Sequence, residues 1–430
     1  MKTKVWHVFG LIGCLCLVGC GGNNIANYSE DEQVAINQTT LKMTPDFSYT
    51  INPQTPNLYI DQYGYRCDDK KTVFSSGIDV SEEFQVKNIE TDEVVYEGKL
   101  RKTTDEEGKL ILTGEFTSLK EEGTYVVSHN LLGESYEFII SEDIYAELFS
   151  SFMGHIKQYM TQEQDSSSYV LANMLFTKEL YPQVPIEDTY LREQMETLLL
   201  SQDEDGAFHN ETGSISLTAT AQASGILANY VYLFSDQDPA FAKECLFASQ
   251  KAYIYLEKYR DNIDTDAWYF AASQLYRTTG GYKYRNAIKE YDAMIPETKT
   301  VSEQNYTILA DFVYLSTTYA TDYMRCETIM NKYLKIAQTI STNSSREHFY
   351  VVENVDTVDK KEMLNSLMIL GIVNDLLSGR EYEGVQVNYI HYYLGVNENT
   401  ENLLLNQNII SENDIESLSQ LLFIFGSLCK

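Results

Sequence analysis

The chain has 430 residues, with 63 acidic against 32 basic side chains and a formal net charge of -31. A surface so acidic repels nucleic-acid phosphates and anionic lipid headgroups, which argues against either as a ligand held by charge. The length exceeds one usual hydrophobic core, so two domains are expected.

At the amino terminus, Lys2 and Lys4 precede an apolar run from Val8 to Val18, and Leu17-Val18-Gly19-Cys20 closes it. The run is too short for a membrane-spanning helix of about 20 residues. Basic start, apolar run, small residue and cysteine together resemble a bacterial lipoprotein signal. That resemblance implies removal of residues 1–19, lipidation of Cys20, and a mature protein anchored on the extracytoplasmic face of a membrane. Acyl chains, not a basic patch, then hold the membrane. An ordinary secretory signal that happens to contain a cysteine is the plainer alternative. Residues 20–45 are rich in Asn, Glu, Asp, Gln and Thr, bury too little apolar surface to fold, and read as a tether.

From 46 to 141 the pattern is of short alternating runs. Strands are expected at Leu58–Ile60, Thr72–Phe74, Phe84–Val86, Val94–Tyr96, Leu110–Leu112, Thr124–Val127 and Tyr136–Ile140. So many short strands in so few residues predict a β-sandwich. After Glu142 the period changes from 2 to about 3.6 and stays there to the end. Helices are expected near 143–161, 167–181, 188–202, 215–235, 238–259, 265–279, 281–293, 302–320, 322–340, 360–378, 381–394 and 412–428. Asp238-Pro239 marks a helix start, and Gly280-Gly281 and Gly379 mark helix stops. The segment from Met363 to Leu377 is apolar on more than one face, which predicts an inner helix. Helices in six antiparallel pairs close most naturally into an (α/α)6 barrel over residues 142–430. An open superhelix of helix pairs competes with it.

Several strings, in this order, resemble glycoside hydrolase family 9 cellulases that carry an N-terminal immunoglobulin-like domain. Ile60-Asp61-Gln62-Tyr63-Gly64-Tyr65 is similar to the family's strand-opening segment, and Phe84-Gln85-Val86 through Glu97-Gly98 to its hairpin. Gln202 through His209, Ala267 through Gly280, and Ile390 through Asn397 resemble three stretches of its helical domain. The resemblance covers most of residues 56–428 and implies a sandwich at 46–141 followed by a six-hairpin toroid. It also implies a polysaccharide substrate, and gives His209, Trp268, Tyr269 and Asn397 as candidates for contact with it.

Family 9 chemistry is inverting, so one carboxylic acid protonates the leaving oxygen while a carboxylate about 6.5–9.5 Å away activates water. The family takes its base from an Asp-Ala-Gly-Asp loop. The matching stretch here runs from Thr161 to Tyr169, with Asp165 as the only candidate and a helix cap as its plainer role. The family's acid opens the last helix, where Asn413-Asp414-Ile415-Glu416 stands in this chain. An aspartate in place of glutamate moves the carboxyl by more than about 1 Å, enough to misplace a proton donor. Glu412 or Glu416 are substitutes, with helix-dipole complementation as the alternative. The family's His-rich sugar-binding loop is replaced by Glu398-Asn399-Thr400-Glu401-Asn402.

Other chemistries find less support. His129, His155, His209, His348 and His391 are isolated, and no phosphate loop or serine elbow occurs. Asp203-x-Asp205 looks like the start of a calcium loop, but lacks a glutamate at the twelfth position. Cys67, Cys245, Cys326 and Cys429 show no paired spacing, so neither a zinc site nor any other metal or cofactor is expected. The 33 tyrosines offer faces for sugar rings, although helix-helix packing is the more ordinary use. The leading expectation is a surface-anchored family 9-like lipoprotein that binds or weakly hydrolyses β-glycan, with Asp414 or Glu412 as acid and Asp165 as base. A helical-repeat scaffold binding a protein partner is the alternative.

Overall fold

A computed structural model describes residues 56–77, 79–104, 108–163, 167–210, 212–259, 264–291, 305–352, 357, 359–377, 379–404 and 414–429. The expected signal, Cys20 and the tether lie outside them. No helix among the described residues is long and apolar enough to cross a membrane.

The alternating runs of the first third form two facing sheets. One has the order β1 (Gly64–Tyr65), β9 (Phe138–Ile140), β7 (Gly123–His129), β3 (Glu83–Asn88), β4 (Val94–Lys99), with β8 (Gly133–Glu134) beside β7. The other has the order β2 (Thr72–Ser76), β6 (Leu110–Glu115), β5 (Arg101–Thr104). Register decides which side chains go inward, since neighbours along a strand point to opposite faces. Val86 pairs with Val127, and both join Phe84, Tyr125, Val73, Leu112 and Phe138 in the core between the sheets. The short strands β1 and β8 are not among the expected runs, and two further details differ from the sequence pattern. Leu58–Ile60 makes only a bridge, Tyr59 to Phe74, and Arg101–Thr104 is a strand that all-polar composition conceals. All four of its side chains are exposed, so it has no apolar alternation to read.

Twelve helices follow among the described residues. Six of them alternate along the chain as an inner ring: α2 (Ser168–Leu180), α4 (Leu217–Phe234), α6 (Thr265–Thr279), α8 (Asn305–Ser316), α10 (Lys360–Leu376) and α12 (Ile415–Gly426). Their partners outside are α1 (Ile144–Glu163), α3 (Asp188–Leu199), α5 (Pro239–Glu257), α7 (Tyr282–Tyr291), α9 (Tyr323–Ser344) and α11 (Glu383–Tyr393). Each inner helix packs on the next, and α12 packs back on α2, so the ring closes. This is the (α/α)6 barrel rather than the open superhelix. Inner helices are buried over almost continuous runs, as in α10 from Met363 to Asn374, because they meet neighbours on every side. Gly225 lets α4 approach α6 closely, since a Cβ there would strike the ring of Phe270. Helix α6 stops at Gly280, whose φ of +67° is left-handed and whose N–H donates to the carbonyl of Tyr276 at 2.8 Å.

At the C-terminal ends of the inner helices lies a buried ion pair. Arg277 of α6 holds both carboxylate oxygens of Glu179 of α2, with Nη2 2.9 Å from Oε2, and also donates to Gln274 Oε1 at 2.9 Å. A cation there complements the negative ends of the helix dipoles.

Sandwich and ring belong to one compact unit spanning Thr55–Lys430. Nδ1 of His391 lies 2.7 Å from Oδ2 of Asp61, and Arg66 bridges Asp69, Glu383 and the carbonyl of Leu428. Beside these, Tyr59, Phe74, Ile111 and Val396 form an apolar seam against Phe349 and Tyr350.

Candidate functional site

All six inner helices start at the same end of the ring, and a cleft of about 760 Å³ opens there. The second residue of every inner helix lines it: Tyr169, Thr218, Asp266, Tyr306, Lys361 and Glu416. Helix starts carry unpaired backbone N–H groups and positive dipole ends, which accounts for caps and acids gathering at this face. Ser216 caps α4 by accepting from Ala219 N at 3.2 Å, and Asp264 caps α6 by accepting from Asp266 N at 2.9 Å. Ser167 caps α2 differently: its hydroxyl donates across the cleft wall to Glu416 Oε1 at 3.1 Å.

The cleft is rich in carboxylates but not uniform in their freedom. Burial pushes the Asp266 carboxyl above its ordinary value, and the hydroxyl of Thr307 and the N–H of Tyr306 occupy its two oxygens. Asp264 and Glu416 each have one oxygen without a hydrogen-bond partner among the described residues. Neither forms an ion pair with a described cation, although Lys361 stands at the rim. On the floor, Tyr169 and Tyr306 meet edge to face with ring centroids 5.4 Å apart. Both are more than nine-tenths buried; the Tyr306 hydroxyl has no hydrogen-bond partner among the described residues, whereas that of Tyr169 is influenced by the side-chain amides of Asn173 and Gln420.

The residues expected from the sequence separate sharply here. His209 lines the cleft, on a two-residue strand β10 (Phe208–His209) paired antiparallel with β11 (Ile215–Ser216), and its Nε2 is 3.2 Å from Asp203 Oδ2. Asp205 accepts from Ala207 N at 3.2 Å, so this acidic loop is folded on itself. Asp414 does not border the cleft. It caps α12 by accepting from Ser417 N at 3.2 Å, and its other oxygen pairs with Lys360. Burial alone raises its carboxyl, but the bonds from Lys360 and Ser417 outweigh that and hold it below its ordinary value. A carboxylate so held is a poor proton donor.

Trp268 and Tyr269 belong to the core, not the cleft. Tyr269 stacks on Tyr291 at 4.1 Å and donates to Asp311 Oδ1 at 2.7 Å, with no exposed surface. Asn397 is equally buried, and its amide ties the loop after α11 by donating to the carbonyls of Tyr392 and Glu401. Asp165 and Glu412 lie outside the described residues. What sequence reasoning passed over is the pair Tyr169 and Tyr306, the acids Asp264 and Asp266, and the serines Ser167 and Ser168. Their common signal is position: each sits within the first two residues of an inner helix or at its cap.

Chemically, the described cleft offers one carboxylate on the α12 wall, Glu416, and the hydroxyls of Ser167 and Ser168 at the start of α2. It is equipped to hold polyhydroxylated ligand through donors and acceptors.

Comparison with known proteins agrees with the fold. Residues 173–406 match the family model of Glycosyl hydrolase family 9, and residues 53–133 match that of the Cellulase N-terminal ig-like domain. Among solved structures, the chain is similar to a metagenome-derived glycoside hydrolase family 9 endoglucanase at 18% identity. That match covers 86% of this chain and 98% of the other, with a TM-score of 0.72. A Bacteroides ovatus GH9 protein matches at 16% identity over 86% and 98% of the two chains, with a TM-score of 0.65. A thermostable endoglucanase from Alicyclobacillus acidocaldarius, in single-mutant (D468A) form, matches at 14% over 87% and 100%, with a TM-score of 0.67. No curated protein matches the chain. The chain belongs to glycosyl hydrolase family 9.

Proposed function

We propose that this family 9 member is a surface-anchored lipoprotein that holds extracellular β-glycan in the cleft at the start of the inner helices, with hydrolysis weak or lost. The observation that carries the reading is the fate of Asp414. The carboxylate standing where the family keeps its acid is spent on a helix cap and Lys360. Across from α12, the described start of α2 presents Ser167 and Ser168 rather than carboxylates. Inverting hydrolysis needs both an acid and a base, so losing either slows turnover while leaving binding in place. Support for the anchor is the Leu17-Val18-Gly19-Cys20 string, and the net charge of -31 speaks against nucleic acid as a partner.

A helical-repeat scaffold needs an open concave face for a protein partner. The closed ring favours the cleft instead.

The test is to apply the purified mature chain to β-glucan, xyloglucan and cellulose, following both retention and product, with Asp414→Ala alongside. Retention without product in both proteins supports the reading. Product released at ordinary enzymatic rates would overturn it, and its abolition by Asp414→Ala would return that carboxylate to the site.

A further inference from the structure

The outward face of helix α5 carries an apolar pair that the fold leaves uncovered. Phe247 is 68% exposed and Ile254 50% exposed, and Phe247 is the only exposed phenylalanine among the described residues. Seven residues make almost two helical turns, so these side chains lie on one line along the helix. That line has charged flanks. Lys243, Gln250 and Glu257 fall on one side of it, and Glu244, Lys251 and Lys258 on the other.

We propose that this face binds a second copy of the chain, the two α5 helices running antiparallel about a two-fold axis beside Gln250 and Lys251. The contact itself is independent of the glycan reading.

The assignment follows from self-complementarity. A two-fold contact matches one surface to itself, so that a residue and its partner exchange roles across the axis. In the antiparallel arrangement Phe247 of each copy meets Ile254 of the other, which covers both exposed side chains. On one flank Lys243 comes opposite Glu257, and on the other Glu244 comes opposite Lys258, each pair occurring twice. An unrelated partner would have to mirror both flanks, whereas a second copy does so by symmetry. Antiparallel helix dipoles also attract, while parallel ones repel. The charges are available: Glu257 reaches Lys283 only at 3.8 Å, and Lys243, Glu244 and Lys258 form no ion pair among the described residues. The two Lys251 side chains stand nearest the axis. Beside each lies the acidic loop Asp203-Glu204-Asp205, which packs on α5 through Gln202 Nε2 donating to the carbonyl of Ala248 at 2.9 Å. Because the helices run antiparallel, the two clefts open toward opposite sides, so on the glycan reading one dimer holds two chains.

The experiment is sedimentation equilibrium of residues 20–430 carrying Cys20→Ser, so that neither lipid nor a Cys20 disulfide contributes. Each copy has a net charge of -31, which opposes approach at low ionic strength, so about 0.15 M salt is used, where the Debye length is about 8 Å. The mass should rise with concentration from one chain toward two. Phe247→Asp should abolish the rise. Glu244→Lys and Lys258→Glu should each weaken association roughly tenfold or more, because like charges then face each other twice. The double variant should return to within about threefold of the parent, and a mixture of the two single variants should associate more tightly than either alone. All four positions replaced or paired are exposed, so the thermal midpoint should stay level, which separates a lost contact from a lost fold. A single species at every concentration would overturn the proposal, as would a dimer that survives Phe247→Asp. Failure of the double variant to recover would overturn the antiparallel register.

Discussion

Nδ1 of His391, in α11, lies 2.7 Å from Oδ2 of Asp61, in the segment that enters the first strand of the sandwich. Asp61 has no exposed surface, and its other oxygen accepts from the N–H groups of Tyr63 and Gly64. One carboxylate thus shapes the turn before β1 and fastens that turn to the helical ring. Removing it leaves His391 and two backbone donors without their partner. Asp61→Ala is expected to cost about 3–5 kcal/mol, seen as a lowered thermal midpoint in calorimetry. Because sandwich and ring share this contact, the two should still unfold in one transition in the parent. Two well-separated transitions in the parent would contradict the coupling.

Asp414→Ala removes a helix cap and the pairing with Lys360. The expected loss is about 1–2 kcal/mol of stability, measured by denaturant titration. Glycan affinity should be unchanged, since Asp414 does not border the cleft. A loss of affinity with stability intact would return Asp414 to the site.

The pair at the other end of the ring makes a different prediction. Arg277 and Glu179 are buried with side chains 1% and 9% exposed. Arg277→Met alone strands a buried carboxylate and should cost about 3–5 kcal/mol. Adding Glu179→Leu should restore much of that loss, because the pair as a whole nets little against apolar packing. If the double variant is no better than the single one, the network has a value beyond charge pairing.

Much of this architecture is legible in the sequence. The inner helices reveal themselves by being apolar on several faces, as from Met363 to Leu377, and α6 by its closing Gly280. Strand β5 is not legible, because Arg101–Thr104 is held by its backbone ladder and exposed polar side chains, with no apolar alternation. The site is harder still. The strings shared with family 9 around Trp268, Tyr269 and Asn397 persist because they build core and loop, so likeness there reports the frame. Asp414 and Glu416 differ by two positions, which on a helix start decides between capping the backbone and facing the cleft. Tyr169 and Tyr306 are hidden among 33 tyrosines until the ring closes and brings the helix starts together.

Stability should depend on pH with two opposing parts. Burial raises the carboxyls of Asp61, Asp266, Asp311 and Asp375, so the folded chain binds their protons more readily than the unfolded one. Their cost is present at neutral pH and is relieved as pH falls toward their raised values. Asp69 and Asp414 are lowered despite burial, held by Arg66 and by Lys360 respectively. What they contribute is present above the unfolded value of about 3.9 and is lost as pH falls through their folded values. Relief of the large net negative charge acts with the first group. The thermal midpoint should therefore rise from about pH 8 to about pH 5 and drop below about pH 4. A midpoint that falls steadily from neutral to about pH 5 would contradict the assignment.

The account stands on a glycan-holding cleft whose proton-transfer pair is incomplete. It is tested most directly by following cellohexaose binding and reducing-end release together on one sample of the mature chain. The expected result is saturable binding, weakened by Glu416→Gln, with release far below the usual enzymatic range of about 1–1,000 per second. Absence of binding, or turnover within that range, would contradict it.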